Sequence, residues 1–341
     1  MPPITKTQAR EFLDNIKPED KIAIIHHDDL DGFASGILLW DFCKSKNSKL
    51  LKSFPITLKK ENIIKIKKEL EDYNKILIAD IPPFFITDNL KELKDKKILY
   101  IDHHQPDTEI SNNILEYRIS EKYFPASRMV FELTNGKEWI GLAGTIADVG
   151  YKYPENKEFI NSFLKKEDLT LKQFQTKVTH PISAFLIYFS NNPHKAFEIL
   201  KQIKDYKNLE EVEKYSEEVE LEVQKFVNNF ESNSEKLGEM YFYYFKPEFK
   251  IKSIIATNLG LQHEDETIII ATPRHSEPET IDISARCQSG KFSMPKMLKC
   301  ATKDLEKASG GGHERAGGGF IQTKDLNKFK ENLREYAKKN L

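Results

Sequence analysis

The chain has 341 residues, with 52 Lys and Arg against 53 Asp and Glu, and this net charge of −1 excludes a global positive field of the kind that coats long nucleic acid. Its cysteines, Cys43, Cys287 and Cys300, lie far apart with no CxxC pair, which excludes a disulfide framework and a zinc knuckle. A hydrophobic content of 39% over this length suits two domains, each with its own core. No run approaches the roughly 20 apolar residues that span a bilayer. The opening MPPITKTQAR lacks the build of a signal peptide, so a cytoplasmic protein without membrane contact is expected.

In chain order, the runs KIAIIHH, KILIAD and KKILYIDHH read as buried strands, and ENIIKIKKELEDY, between the first two, has helical spacing. This βαβ rhythm predicts an α/β domain with a parallel sheet, whose ligands gather beyond the carboxyl ends of the strands. From Asn208 to about Lys236 a charged stretch keeps Val212, Tyr215, Val219, Val223, Phe226 and Phe230 at 3-or-4 spacing and predicts a long helix. MYFYYF, a helix around Ser253 to Leu261, the strands ETIIIATP and TIDISARC, a glycine loop and a final helix then make a smaller α/β domain. The expected divisions are 1–205, a connecting helix over 206–238, and 239–341.

Each of the first three strands ends in His or Asp. His27, Asp29 and Asp31, in H-x-D-x-D-G, sit where a strand should run into a loop that Gly32 turns sharply, and alternate residues of an extended segment point to one side. Carboxylate and imidazole suit manganese, magnesium, iron or zinc, although an acidic surface loop explains this cluster equally well when taken alone. Asp80 after KILIA, and Asp102, His103 and His104 after KKILYI, make coincidence a poor explanation. Asp148, in GTIADVGY, reads by itself as a helix cap or turn residue. His26 and Asp28 alternate with the cluster and are expected to face away from it, and His180 and His194 read as ordinary surface or packing histidines.

In SGGGHERAGGGF, Ser309 to Phe320, glycines permit positive φ and close approach of N–H groups to an anion, so Gly311, Gly312 and His313 read as a phosphate cradle in a loop. Lys291, Lys296 and Lys299 are candidates for a basic rim beside Arg286.

H-x-D-x-D-G, the Asp after the second strand, DHH and GTIAD, in this order, resemble the four motifs of the DHH phosphoesterases, which include RecJ-type exonucleases and nanoRNases. GGGH-x-x-AGG resembles the loop of their associated C-terminal domain. The resemblance implies two divalent metal ions, manganese preferred and magnesium the alternative. One would be held by His27, Asp29 and Asp80, the other by Asp31, Asp80, His103 and Asp148, with Asp80 bridging. It implies catalytic roles for Asp80 and His104, with Asp102 orienting a neighbour, and substrate phosphate held by His313 and Arg286 in a cleft between the domains. The D-L-D-G ending is closer to the RecJ form, while the chain ends where RecJ exonucleases continue into an oligonucleotide-binding barrel. The expectation is therefore a compact RecJ-like exonuclease or oligonucleotidase acting on single-stranded DNA or RNA. The alternatives are hydrolysis of a small nucleotide, such as phosphoadenosine phosphate or a cyclic dinucleotide, and an idle scaffold. Replication or repair proteins are candidate partners.

Overall fold

The computed structural model describes residues 2–58, 60–85, 93, 95–104, 110 and 114–340. The chain forms two compact units, residues 1–217 and 218–341. The division falls inside the long helix, which runs Glu210–Asn228. It stops short of the expected Lys236, because Glu235–Leu237 is instead strand β6, turned onto its partner by Gly238 at φ +66°.

The N-terminal unit is built on a five-stranded, all-parallel sheet. Its strands are β1 Lys21–His27, β2 Leu50–Ile56, β3 Lys75–Ala79, β4 Lys97–Ile101 and β5 Ile114–Tyr117, in the order β2-β1-β3-β4-β5. Three of these are the apolar runs read from the sequence. The other two escaped notice for physical reasons: β2 lies at the sheet edge, where Pro55 is tolerated and the pattern LLKSFPI is broken, and β5 has only four residues.

Both faces of this sheet are covered, which is why its strands are apolar throughout. Ile22, Ile24, Leu77, Leu99 and Ile101 join the core on one side, whereas Ile25, Ile76, Ile78, Ile98 and Tyr100 join the core on the other. The chain leaves β1 in one direction toward β2 and returns to build β3, β4 and β5 on the other side. The β1/β3 boundary is thus a topological switch point, the place where open α/β sheets collect ligands. Residues 157–200, unassigned from sequence, are mostly helical, and His180 and His194 there are exposed.

The C-terminal unit has a six-stranded mixed sheet in the order β10-β11-β9-β8-β7-β6, with β7 Met240–Tyr244, β8 Thr267–Arg274, β9 Glu277–Cys287, β10 Ser309–His313 and β11 Ala316–Gln322. One core, including Ile281, Ile283, Ala285, Met294, Leu298, Phe329 and Leu333, joins the sheet to the helices Met294–Ala301 and Leu326–Lys339.

The expected glycine loop is a β-hairpin. β10 and β11 pair antiparallel, with His313 opposite Ala316 across a two-residue turn. Of its glycines only Gly312, at φ +133°, uses the left-handed range. Gly317 is glycine for another reason: a Cβ there would lie 2.6 Å from Leu298 Cδ1, so the helix beneath packs directly on strand backbone.

Candidate metal centre

The site begins as a row of strand ends. Register pairs His26 of β1 with Ala79 of β3, and Ala79 with Ile101 of β4, so His27, Asp80 and Asp102 stand side by side where the strands stop. Asp80 holds φ +58°, a costly backbone state that Asp tolerates better than most residues, and its N–H is tied to Ile101 O at 3.1 Å.

The segment after His27 departs from the expected loop. Asp29 caps a helix, Leu30–Ser45, by accepting from Gly32 N at 3.0 Å. Gly32 therefore lies in the first turn of that helix rather than at a loop bend. A Cβ on it would meet His27 O at 2.4 Å, so glycine lets the helix start directly against the strand end. Asp31 is likewise helical, and its side chain reaches the cluster by the turn of the helix rather than by extended alternation.

Asp31 is buried, and its two oxygens accept from Ala126 N at 2.8 Å and Ser127 N at 3.0 Å. Those amides open the helix Ala126–Thr134, whose first N–H groups lack intrahelical partners and favour negative charge. Asp148 is the C-terminal cap residue of the helix Glu138–Ala147, where the helix dipole opposes a carboxylate. Asp148 thus stands both at a helix end and beside the ligand-type side chains of Asp31 and His103.

Among the described residues, ligand-type side-chain atoms converge in three groups: His27, Asp29 and Asp80; Asp31, His103 and Asp148; and Asp80, Asp102, His103 and His104. Asp80 faces two of its neighbours with different oxygens, Oδ2 lying 3.8 Å from His27 Nδ1 and Oδ1 lying 3.3 Å from His103 Nε2. His27 Nδ1 is 2.9 Å from Asp29 Oδ2, and His103 Nε2 is 3.4 Å from Asp148 Oδ2.

Burial, then repulsion from Asp148, pushes the Asp31 carboxyl up to about 8. Burial, followed by the charges of Asp29, Asp31 and Asp102, raises Asp80 well above the ordinary 3.8. Burial also raises Asp148, against the pull of His103 and Tyr123. So many carboxyls are costly to hold together without a cation. The fit to a divalent ion rests on two further facts. Asp80 Oδ2 is buried without a hydrogen bond, and the donors are all carboxylate and imidazole, a set that suits a divalent cation.

Around this cluster lie residues that orient it. Asp102 is fully buried, accepting from Tyr100 Oη at 2.7 Å and from His104 N at 3.2 Å, and its Oδ1 lies 2.7 Å from His104 Nδ1. With both oxygens engaged it acts through His104. Burial pulls the His104 pKa down, but the Asp102 contact together with the charges of Asp102 and Asp148 outweighs it and raises the pKa above its ordinary value. Arg118, missed in the sequence, bonds His104 O.

Asp28 belongs to none of the three groups, yet it touches one of their members. Its Oδ1 lies 3.4 Å from His27 Nε2 and its Oδ2 accepts from Thr57 Oγ1 at 2.5 Å, so it steadies the far side of the ring whose Nδ1 faces Asp80. His26 does turn away, into a buried aromatic cluster, edge-on to Phe33 and tilted against Phe197, its Nε2 2.9 Å from Ser53 Oγ. Tyr123 was also missed. Its Oη donates to Asp148 Oδ2 at 2.6 Å, and nothing in the run EKYFPAS marks it in advance.

Residues 21–153 match the family described as DHH family, N-terminal domain. The chain carries a DHH-family domain. That DHH domain holds every residue of the cluster. No curated protein matches the chain.

Among solved structures, the chain is similar to RecJ in complex with Mn²⁺ from Thermus thermophilus. The TM-score is 0.71 at 15% identity, over 99% of this chain and 55% of that one. The chain thus spans about half the length of the Thermus RecJ. A second exonuclease RecJ, bound to manganese, gives TM-score 0.71 at 14% identity over 99% and 95% of the two chains. CDC45 from Entamoeba histolytica gives 0.59 at 11% over 97% and 99%. At these identities the likeness is one of fold. No described helix is long and apolar enough to cross a membrane.

In the C-terminal unit three of the expected phosphate-binding residues, Gly311, His313 and Arg286, share one face, whereas Gly312 lies opposite Gly317 in the alternate row. His313, Ala316 and Arg286 form a row across β10, β11 and β9, and Gly311, Gly318 and Ser284 form the next. Arg286 is half-buried, bonded to Ala285 O, Ser284 Oγ and Thr257 Oγ1, with no carboxylate partner among the described residues. The lysine rim is corrected. Lys291 is paired with Glu239 at 2.8 Å. Lys296 and Lys299 ride the helix Met294–Ala301, which packs against Gly317 on the face opposite Arg286.

Proposed function

We propose that the chain is a divalent-metal-dependent phosphodiesterase that removes mononucleotides from short single-stranded oligonucleotides, releasing 5′-monophosphates. The observation that supports this best is Asp80, a buried carboxylate whose two oxygens face two separate sets of ligand-type side chains. His27 and Asp29 would hold one Mn²⁺ or Mg²⁺, and Asp31, His103 and Asp148 the other, with Asp80 shared. Bound there, the ions would supply an acidified water and offset charge at phosphorus.

The protein's own groups do the rest. Ala126 and Ser127 amides fix the angle of Asp31, Asp28 holds the His27 ring, and Asp102 keeps a proton on His104 Nδ1, which leaves His104 fit to face the phosphoryl oxygens. Water adds to phosphorus, the bond to the 3′ oxygen breaks, and that oxygen leaves as a hydroxyl after taking up a proton. Arg286 and His313 are proposed to hold a substrate phosphate. An idle scaffold fits poorly with an intact ligand set.

The test is an Mn²⁺-dependent assay on end-labelled RNA and DNA from two to about thirty nucleotides, with phosphoadenosine phosphate and cyclic dinucleotides alongside. Preference for the shortest strands supports an oligonucleotidase. Preference for the small nucleotides would replace that reading. Asp80→Asn should lose at least about 10³-fold in turnover and weaken Mn²⁺ binding in calorimetry, since a bridging carboxylate serves both ions. A fully active Asp80→Asn protein would end the two-metal proposal.

A further inference from the structure

Tyr123 and Tyr153 stack with ring centroids 4.1 Å apart and planes 17° from parallel. Neither joins the hydrophobic core of the unit, although their neighbours Phe124 and Tyr151 pack against it. Tyr153 is 37% exposed, and no other described ring touches it. An aromatic ring left open to water beside a cluster of carboxylates gains little for the fold.

The pair is nevertheless held firmly. Tyr123 Oη donates to Asp148 Oδ2 at 2.6 Å and Asp148 O at 3.1 Å, and its ring stands edge-on to His103 at 5.3 Å. Tyr123 N donates to Glu155 Oε1 at 2.5 Å, while the fully buried Asn156 donates to Tyr123 O at 2.9 Å and Gly150 O at 3.1 Å. Between Asp148 and Tyr153 the chain turns through Val149 at φ +51°, a backbone state that a β-branched residue adopts only under constraint, and Val149 is itself 38% exposed. A strained turn, an exposed apolar pair and buried anchoring bonds therefore surround one ring.

We propose that this pair is a nucleobase platform. The open face of Tyr153 takes the base of a nucleotide whose phosphate lies at the carboxylate cluster, and Tyr123 fixes the distance between the two. The inference rests on the nucleotide phosphodiesterase reading and deepens it: the substrate is recognised by its base as well as its phosphate. Every base has a π-face, so the contact tolerates any sequence.

The test compares binding of AMP and ribose 5-phosphate by calorimetry in Mn²⁺. The wild-type protein should bind AMP about tenfold more tightly, as expected for one stacked base. Tyr153→Ala and Tyr153→Leu should bring AMP down to the affinity of ribose 5-phosphate, whereas Tyr153→Phe and Tyr153→Trp should keep the preference. Equal affinities in the wild type, or an equal loss on both ligands in Tyr153→Leu, would overturn the platform. The underlying reading fails separately: a protein that prefers AMP yet cleaves no phosphodiester keeps the platform and loses the enzyme, and an active protein that ignores the base does the reverse.

Discussion

The carboxylate and imidazole cluster of the N-terminal unit and the glycine-hairpin face of the C-terminal unit, proposed to hold phosphate, solve different problems. The first gathers carboxylates that repel one another from His27 to Asp148, so it depends on the whole sheet and on two helix ends to hold them. The second gathers little charge. Its requirement is space, met locally by a glycine hairpin and one neighbouring strand. One site is therefore vulnerable to anything that loosens its unit, and the other to added bulk.

The sharpest way to break that contrast lies at the opposite end of the strands from the metal cluster. Lys75, the first residue of β3, pairs with Asp20 at 2.6 Å with both side chains buried, and also bonds Asn15 O. Asp20→Asn strands this ammonium and should cost about 3 kcal/mol, as breaking a buried pair does. Both tryptophans, Trp40 and Trp139, lie in the N-terminal unit, so their fluorescence in a denaturant titration reads that unit alone. Weaker Mn²⁺ binding should accompany the loss.

The pH dependence follows in sign. Burial pushes Asp20 up, but Lys75, the Lys17 amide and Asn74 outweigh it and hold the carboxyl below 3.8. Its stabilisation is present above pH 3.8 and disappears as pH falls through the lowered value. Asp20→Asn should lack that acid step, and an identical acid limb in both proteins would remove the pair from the account.

Next in size, Gly317→Ala sets a methyl against Leu298 Cδ1, with Gly311 O and Met294 Cβ closing the other sides, and should cost about 2 kcal/mol, a typical overpacking penalty. Hydrogen exchange of the β10–β11 amides measures it, and Mn²⁺ affinity should not move. The smallest effect expected is that of Arg286→Ala, about a tenfold rise in KM for oligonucleotides, the share of one charged hydrogen bond to phosphate. A change in kcat with KM constant would contradict a binding role.

The sequence showed the parallel-sheet unit, the second α/β unit and the candidate ligands because strand ends in such sheets are marked twice, by an apolar run and by the polar residue that stops it. It hid the edge strand β2, broken by Pro55, and it hid the hairpin, because a run of glycine and His carries no alternation to read as strand. The lysine rim failed for a related reason: adjacency in sequence says nothing about which face of a sheet a following helix covers.

Orientation was the part left to tertiary structure. Sequence spacing placed Asp28 away from the cluster and gave Asp102 no defined partner, yet Asp28 braces His27 and Asp102 braces His104. Tyr123 and the Ala126 and Ser127 amides came from a segment with no chemical mark of its own. By itself the sequence determined which residue types stand at which strand ends, since burial and period fix that locally. Only the tertiary structure decided which atoms face one another, because a carboxylate's partners are set by the packing of elements far apart in the chain, and that packing is where Asp80 comes to stand between two histidines.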